Sequence, residues 1–278
     1  MENKFIVSSS PHIRSNEDTS YIMKQVLLAL SPAALAALYY FRASALFVMF
    51  FCILGTVGSE FLYQKIMKHR STIGDYSAVV TGLLLAFNVP ASLPWWMCIL
   101  GGVFAIIVVK MVFGGLGNNF VNPALAGRAF LLASFPVAMT AWTKTGVNWV
   151  SSGSLDAVST ATPLSFLKAG AAGLGPLKES GVSLMDMVLG NIGGCIGETC
   201  VILILLGGVY LIYKGIISYI MPVCYLGTIF ILTFLLGGFS LEFAMFQILA
   251  GGVMLGGFFM LTDYTTSPMT VKGQIIYA

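Results

Sequence analysis

Residues Ser44 to Gln64 read SALFVMFFCILGTVGSEFLYQ, with one charge, Glu60, in the whole run. About 20 predominantly apolar residues are what a helix needs to cross the hydrocarbon of a bilayer. Working outward, the same kind of segment recurs. Lys24–Phe41 precedes it, and Tyr76–Trp95 follows, interrupted near Asn88, Pro90 and Pro94. Trp96–Phe113 and Pro123–Met139 come next. Beyond a long polar stretch lie Gly197–Tyr213, Ile217–Gly237 and Phe243–Leu261, and a last segment begins at Val271 and is still running at Ala278.

Composition points the same way. Of the 278 residues, 58% are hydrophobic and only 9% charged, against roughly 25% charged in a soluble domain. That leaves too little polar surface to cover a core of this size, so lipid must solvate most of the exterior. The net charge of +3 is small and sits in loops, so it gives no sign of a nucleic-acid partner, and none is expected. The first twenty residues are polar, with no apolar stretch to serve as a cleavable signal, so the first span itself directs insertion. Cys52, Cys98, Cys195, Cys200 and Cys224 lie in or beside apolar segments. An odd count without CxxC spacing predicts packing residues rather than a disulfide framework. No cluster has metal-ligand spacing, and no metal or iron–sulfur centre is expected on this chain.

Basic loops orient the spans. Lys65, Lys68 and Arg70 form the densest basic cluster and are placed in the cytoplasm. Alternation then puts residues 1–23 inside as a cytoplasmic segment, and residues 140–194 outside as an extracytoplasmic loop. Arg42, in a short outer turn, is the one discordant charge. The loop separates a first membrane unit, 24–139, from a second, 195–278.

The two units are related by a shift of 175 residues. Lys24 then falls on Thr199 and Ser44 on Tyr219, and Gly82–Asn88 lies over Gly257–Asp263. Five segments per copy is an odd number, so the second copy would be inverted in the membrane. The expected fold is therefore an all-α polytopic membrane protein built as an inverted repeat. Ala278 maps onto Val103, in mid-segment, so the second repeat reads as truncated, about one and a half segments short. The broken third segments, near Pro90 and near Asp263–Pro268, should meet inside the bundle, where irregular backbone is covered by protein. A plain kink of long helices by Pro and Gly is the other reading of the same pattern.

Two stretches carry chemistry. One is Asp156-Ala-Val-Ser159-Thr160-Ala161-Thr162-Pro163-Leu164 in the outer loop. Pro163 biases Thr162 towards an extended backbone, which would present its hydroxyl to a modifying enzyme. Taken alone, such a loop reads as a solvated linker. The other runs from Phe113-Gly114-Gly115-Leu-Gly117-Asn118-Asn119 through Asn122-Pro123 to Arg128. Asn122 before Pro123 reads as an N-cap with proline at the first helical position, presenting a positive helix end at the inner face. The glycines allow close backbone approach, and an intramembrane arginine needs a partner or a cavity. A pocket for a hydrogen-bonding ligand at Asn119, Asn122 and Arg128 is one reading. A tight turn with Arg128 reaching to the interface is the other.

Together these stretches resemble the family of D subunits of the Rnf complex, the membrane ferredoxin:NAD+ oxidoreductase, and its relative, the B subunit of the sodium-pumping NADH:quinone reductase. The resemblance rests on Gly114-Gly-Leu-Gly with Asn122-Pro-Ala-Leu-Ala-Gly-Arg-Ala-Phe130 and on Ser159-Thr-Ala-Thr-Pro-Leu164. Ser9-Ser-Pro-His-Ile-Arg14 and Thr262-Asp-Tyr-Thr-Thr-Ser-Pro268 also look like it. What it implies is an FMN joined to Thr162 by a phosphodiester bond, made by a dedicated flavin transferase. Many members have glycine where this chain has Thr160, but Ala161 and Pro163 set the register at Thr162. The resemblance further implies a riboflavin site at Asn119 and Asn122, and a fold like that of urea and ammonium transporters. It also implies sister subunits: an FMN-bearing G-type subunit, a membrane A/E pair and soluble B/C subunits. Electrons from reduced ferredoxin would pass through the covalent FMN at the outer face, ending at NAD+, with export of Na+ or H+. No catalytic residue and no turnover are expected of the isolated chain.

Among other charges, Glu60, Glu198 and Glu242 sit at span ends, where an interface position is the ordinary explanation. Asp75 and Asp263 each precede Tyr and a hydroxyl residue, and Asp263 is the better candidate for a cation- or flavin-facing acid. His12 and His69 read as surface residues. Two rivals compete with the redox subunit: a solute channel of the urea or ammonium type, and a purely structural membrane scaffold. The Ser-x-Ala-Thr motif discriminates against the channel, which has no use for it.

Overall fold

In a computed structural model the chain is described over residues 18–69, 71–142, 162, 183–190, 192–198 and 200–278. Among these residues it is helical, with no strands. Helix α1 (Thr19–Phe41) starts where Asp18 accepts a hydrogen bond from Thr19 N at 3.0 Å. Arg42, at φ 54°, is the single residue that turns it into α2 (Ala43–Ile66). A 3-10 turn (Ile73–Asp75) leads to α3 (Ser77–Phe87). Helix α4 (Trp95–Met111) is π-helical from Phe104 onward. Helices α5 (Pro123–Ser134) and α6 (Pro136–Met139) complete the first part.

A short helix α7 (Leu184–Leu189) and a 3-10 turn (Ile196–Glu198) open the second part. Helices α8 (Val201–Tyr213), α9 (Ile220–Leu236) and α10 (Leu241–Leu249) follow. The last two are α11 (Val253–Met260, π-helical from Gly256) and α12 (Val271–Tyr277). Two helices, α1 and α2, are long and apolar enough to cross a membrane singly, and α10 with α11 passes as a bent pair. The shorter apolar helices α3, α4, α8 and α9 add to these, as expected of a membrane protein.

Helices associate here by close backbone contact, as they do in lipid, where small residues line the interfaces. A β-carbon at Gly82 of α3 would stand 2.8 Å from Ile53 Cα of α2. One at Gly207 of α8 would stand 2.2 Å from the Ala29 carbonyl oxygen of α1. The second contact clamps the two parts of the chain together.

Two spans are broken where the sequence predicts continuity. Phe243–Leu261 reads as one run, but α10 and α11 meet at a 68° bend. Ala250 is extended (φ −79°, ψ 136°) and Gly251 is left-handed (φ 64°), so the helix cannot continue through them. Pro123–Met139 is likewise divided at Phe135, which Pro136 holds out of the helical region (φ −133°, ψ 58°).

The break after α3 is covered by the second part. Asn88 Nδ2 donates to Leu84 O at 2.7 Å, Ile196 N donates to Val89 O at 3.2 Å, and Cys195 Sγ lies 3.4 Å from Asn88 O. The freed backbone groups thus find partners inside the protein, as a chain in lipid requires. Asn88 meets α11 itself, at Met260 Sδ (3.6 Å), rather than the Asp263–Pro268 loop that the repeat places opposite it.

Candidate functional site

Asn122 is the N-cap of α5: its Oδ1 accepts from Ala124 N (3.0 Å) and Leu125 N (3.3 Å), with Pro123 next. Its Nδ2 lies 3.5 Å from Asp263 Oδ2. Asp263 also accepts from the Thr265 hydroxyl (3.1 Å) and Thr265 N (3.3 Å). Asn119 Nδ2 donates to Thr265 Oγ1 at 2.9 Å and more weakly to Val121 O at 3.3 Å. The glycine-containing turn after α4 and the loop after α11 are joined by this polar chain.

One atom in it is left over. Asn119 is 4% exposed, and its Oδ1 has no hydrogen-bond partner among the described residues. The orientation of its amide is fixed by Val121, whose carbonyl can only accept. Asn119, Asn122 and Asp263 line a cleft walled by apolar residues such as Leu84, Phe258 and Phe259, with Lys110 and Ser77 also reaching it. A buried acceptor facing a cleft needs a donor from whatever enters it.

Lys110 belongs to a second polar group that span-by-span reading of the sequence misses. Its Nζ lies 2.7 Å from Glu60 Oε2 and donates to Ser77 Oγ at 2.6 Å. Ser77 Oγ donates in turn to Asp75 Oδ1 (2.6 Å). Glu60 Oε1 accepts from Thr72 Oγ1 (2.8 Å) and Gln64 Nε2 (3.1 Å). Glu60 is 0% exposed, which corrects the interface position expected for it. The signal is present in the sequence: a lone acid in one span and a lone base in another predict a pair in lipid. The π-helical register sets Lys110 on the α2 side of α4, and such bulges concentrate at functional positions.

Arg128 does not join Asn119. It stands six positions beyond Asn122, roughly 240° round the helix and about 9 Å along it, and so faces a different cavity. There its Nη1 donates to Asn88 Oδ1 at 3.1 Å. The pocket expected to unite Asn119, Asn122 and Arg128 is thus two cavities with Asn122 between them. Gly114 and Gly115, at φ 109° and 96°, shape the turn that ends α4 and line neither cavity.

Glu198, also expected at the interface, is buried, and its Oε2 accepts from Cys195 N at 3.2 Å. Glu242 is exposed in the first turn of α10. His69 stacks on Tyr63. Thr162 is half-buried and outside regular structure, while Asp156, Ser159, Thr160, Ala161, Pro163 and Leu164 lie outside the described residues. Cys52, Cys98 and Cys195 are buried free thiols.

A family model described as "NQR2, RnfD, RnfE family" matches residues 6–278. The chain is 50% identical over 279 residues to the D subunit of the Na(+)-translocating ferredoxin:NAD(+) oxidoreductase complex of Acetobacterium woodii, covering 100% of this chain and 82% of the relative. To the D subunit of the proton-translocating ferredoxin:NAD(+) oxidoreductase complex of Clostridium ljungdahlii it is 45% identical over 284 residues, covering 100% and 84%. To the D subunit of the ion-translocating oxidoreductase complex of Cronobacter sakazakii it is 34% identical over 304 residues, covering 98% and 86%.

Proposed function

The chain belongs to the NQR2, RnfD, RnfE family, and from that premise we propose that it is the D-type membrane subunit of an ion-translocating ferredoxin:NAD+ oxidoreductase. The observation that carries this reading is the 50% identity over the full chain to a relative of that name. Ser159-Thr-Ala-Thr162-Pro adds a flavin-attachment motif, and the FMN is carried on the Thr162 hydroxyl. A flavin supplies electron-transfer chemistry, and the protein supplies position and electrostatic tuning. The Thr162 loop faces the extracytoplasmic side, a placement supported by the basic residues Lys65, Lys68 and Arg70 at the opposite ends of the spans. Sister subunits of the A/E, B/C and G types take up the electrons and pass them on to NAD+, and Na+ or H+ moves in response.

A riboflavin site in the cleft at Asn119 and Asn122 is part of this reading. The chemistry of the lining suits such a group, while the cleft, about 90 Å³, must widen to take it. Asn119 Oδ1 is a buried acceptor awaiting a donor, of the kind an imide N–H provides, and Phe258 and Phe259 supply apolar wall. An internal repeat, which an odd number of segments would invert, is supported by the positions of two elements. Shifted by 175, Ser77–Phe87 falls on Val253–Met260, and Ala43–Ile66 falls on Ile220–Leu236.

The test is fluorescence of the denatured chain in a gel after coexpression with a flavin transferase. The wild type should fluoresce and gain the mass of one FMN less one water, Thr160→Ala should do the same, and Thr162→Ala should be dark. A dark wild type, or a fluorescent Thr162→Ala, overturns the assignment.

A further inference from the structure

Two asparagine side chains meet the first cleft, and their donor and acceptor ends are not interchangeable there. Asp263 and Thr265, in the loop after α11, form an Asx turn. The carboxylate accepts from the Thr265 backbone at Oδ1 (3.3 Å) and from the Thr265 hydroxyl at Oδ2 (3.1 Å). A hydroxyl has one proton and two lone pairs. With its proton committed to Asp263, Thr265 Oγ1 can meet Asn119 Nδ2, at 2.9 Å, only as an acceptor. The loop is anchored by Tyr264, whose hydroxyl donates to Ile216 O after α8.

The Asn119 amide is therefore used up at one end and open at the other. Its two N–H bonds go to Thr265 Oγ1 and to Val121 O. Its Oδ1, buried, has no partner among the described residues. Turning the amide over would set Oδ1 against the Val121 carbonyl and against a hydroxyl lone pair, two contacts between acceptors. Asn122 is held in the same sense. The first N–H groups of α5 occupy its Oδ1, so Nδ2 is the end that meets Asp263 Oδ2, 3.5 Å away. One carboxylate thus receives Asn122 directly and orients Asn119 through Thr265.

We propose that Asp263 is a positioning residue that sets the selectivity of this cleft. Acting through Thr265, it holds Asn119 Oδ1 as a fixed acceptor, so that the site selects a ligand presenting an N–H donor there. The proposal rests on the riboflavin reading above. The imide of riboflavin carries one N–H between two carbonyls, and of these three groups only the N–H can satisfy an acceptor. A flavin alkylated at that nitrogen keeps its ring and both carbonyls but has no donor to offer. Asn119 Oδ1 then stays buried and unsatisfied, which costs affinity. Asp263 itself borders the cleft, but both its oxygens are engaged by Thr265 and Asn122. Its effect on selectivity runs through Asn119.

The experiment is titration of the purified, assembled complex, stripped of non-covalent flavin, with riboflavin and with 3-methylriboflavin. Binding is read from flavin fluorescence, and the quantity of interest is the ratio of the two Kd values. Wild type should prefer riboflavin by about tenfold or more. Asp263→Asn can keep the Asx turn through its own Oδ1, but it sets an NH2 group beside Thr265. That frees the hydroxyl proton and lets the Asn119 amide turn over, so the preference should collapse towards parity. Thr265→Val removes the relay at nearly constant volume and should do the same, whereas Thr265→Ser keeps the hydroxyl and should keep the wild-type ratio. A merely structural role for Asp263 would weaken both flavins alike and leave the ratio unchanged. A wild-type ratio in Asp263→Asn or Thr265→Val overturns the proposal, as does a wild type that binds the two flavins equally. A wild type that takes up neither flavin refutes the riboflavin reading itself, and the proposal with it.

Discussion

Lys110 Nζ stands 2.7 Å from Glu60 Oε2, and the two side chains are 2% and 0% exposed. Their hydrogen bonds run on through Ser77, Thr72 and Gln64, so the pair is well satisfied. Breaking a buried pair by removing one partner typically costs about 3–5 kcal/mol, whereas replacing both with apolar groups is often neutral. Lys110→Met alone and Glu60→Gln alone should therefore lower the unfolding temperature of the purified complex sharply. The double variant Glu60→Leu with Lys110→Met should recover most of the loss. A double variant as unstable as the sum of its parts would show that Glu60 and Lys110 contribute independently and are not coupled as a pair.

Asn119 supplies the second prediction. Removing a buried hydrogen-bonding group that serves a ligand costs about 1–3 kcal/mol, equivalent to roughly a thirtyfold loss of affinity at the midpoint of that range. Asn119→Leu should accordingly reduce the non-covalent riboflavin extracted by acid precipitation of the purified complex, with covalent flavin at Thr162 unaltered. Arg128→Gln, on the other cavity, should leave the riboflavin content close to wild type. Equal loss in both variants would mean that the two cavities act as one site.

What can be read from the sequence divides by the range of the interaction that sets it. The spans are legible because the absence of charge over about twenty residues is a local property, and the Asn122-Pro123 cap needs only its own turn. The separation of Arg128 from Asn119 follows from helical phase, but it shows only once Asn122 is fixed as the start of α5. The bend at Ala250–Gly252 reads as helix because glycines are common in membrane spans, and only the left-handed φ of Gly251 ends the helix there. Glu60 with Lys110, 50 positions apart, and Arg128 with Asn88, 40 apart, are tertiary pairings that single-span reading cannot make. The flavin motif is the opposite case, legible by resemblance alone, since its flanking residues are outside the described structure.

Glycine contacts predict a graded response. At Gly207 a β-carbon would be driven to 2.2 Å from the Ala29 carbonyl oxygen, a backbone atom with no rotamer to move. Overpacking of this kind costs about 1–3 kcal/mol. Gly58, in α2, has nothing within 4 Å of its β-position, and alanine there should gain up to about 1 kcal/mol of helix propensity. Thermal unfolding of the complex should therefore fall for Gly207→Ala and hold or rise for Gly58→Ala. The reverse order would mean that α1 and α8 do not pack as described.

Asn88 and Arg128 should behave as a coupled unit. Asn88 Oδ1 is the sole hydrogen-bond partner of Arg128 among the described residues, and Asn88 Nδ2 closes the end of α3 on Leu84 O. Asn88→Leu strips both bonds and leaves a guanidinium at the junction of two broken helices, with only Glu198 nearby. A charged group forced to depth without a partner is costly, so this single substitution should lower assembly of the complex, measured as the fraction of chain that elutes with its partner subunits on size exclusion. Arg128→Leu alone leaves a neutral amide that still holds Leu84 O and should be milder. Because the charge is the expensive part, adding Arg128→Leu to Asn88→Leu should raise assembly above the Asn88→Leu level, towards that of Arg128→Leu. Purely additive losses in the double variant would show that the 3.1 Å contact carries no coupling, and that α3 is held at its end by Leu84, Met260 and Cys195 alone.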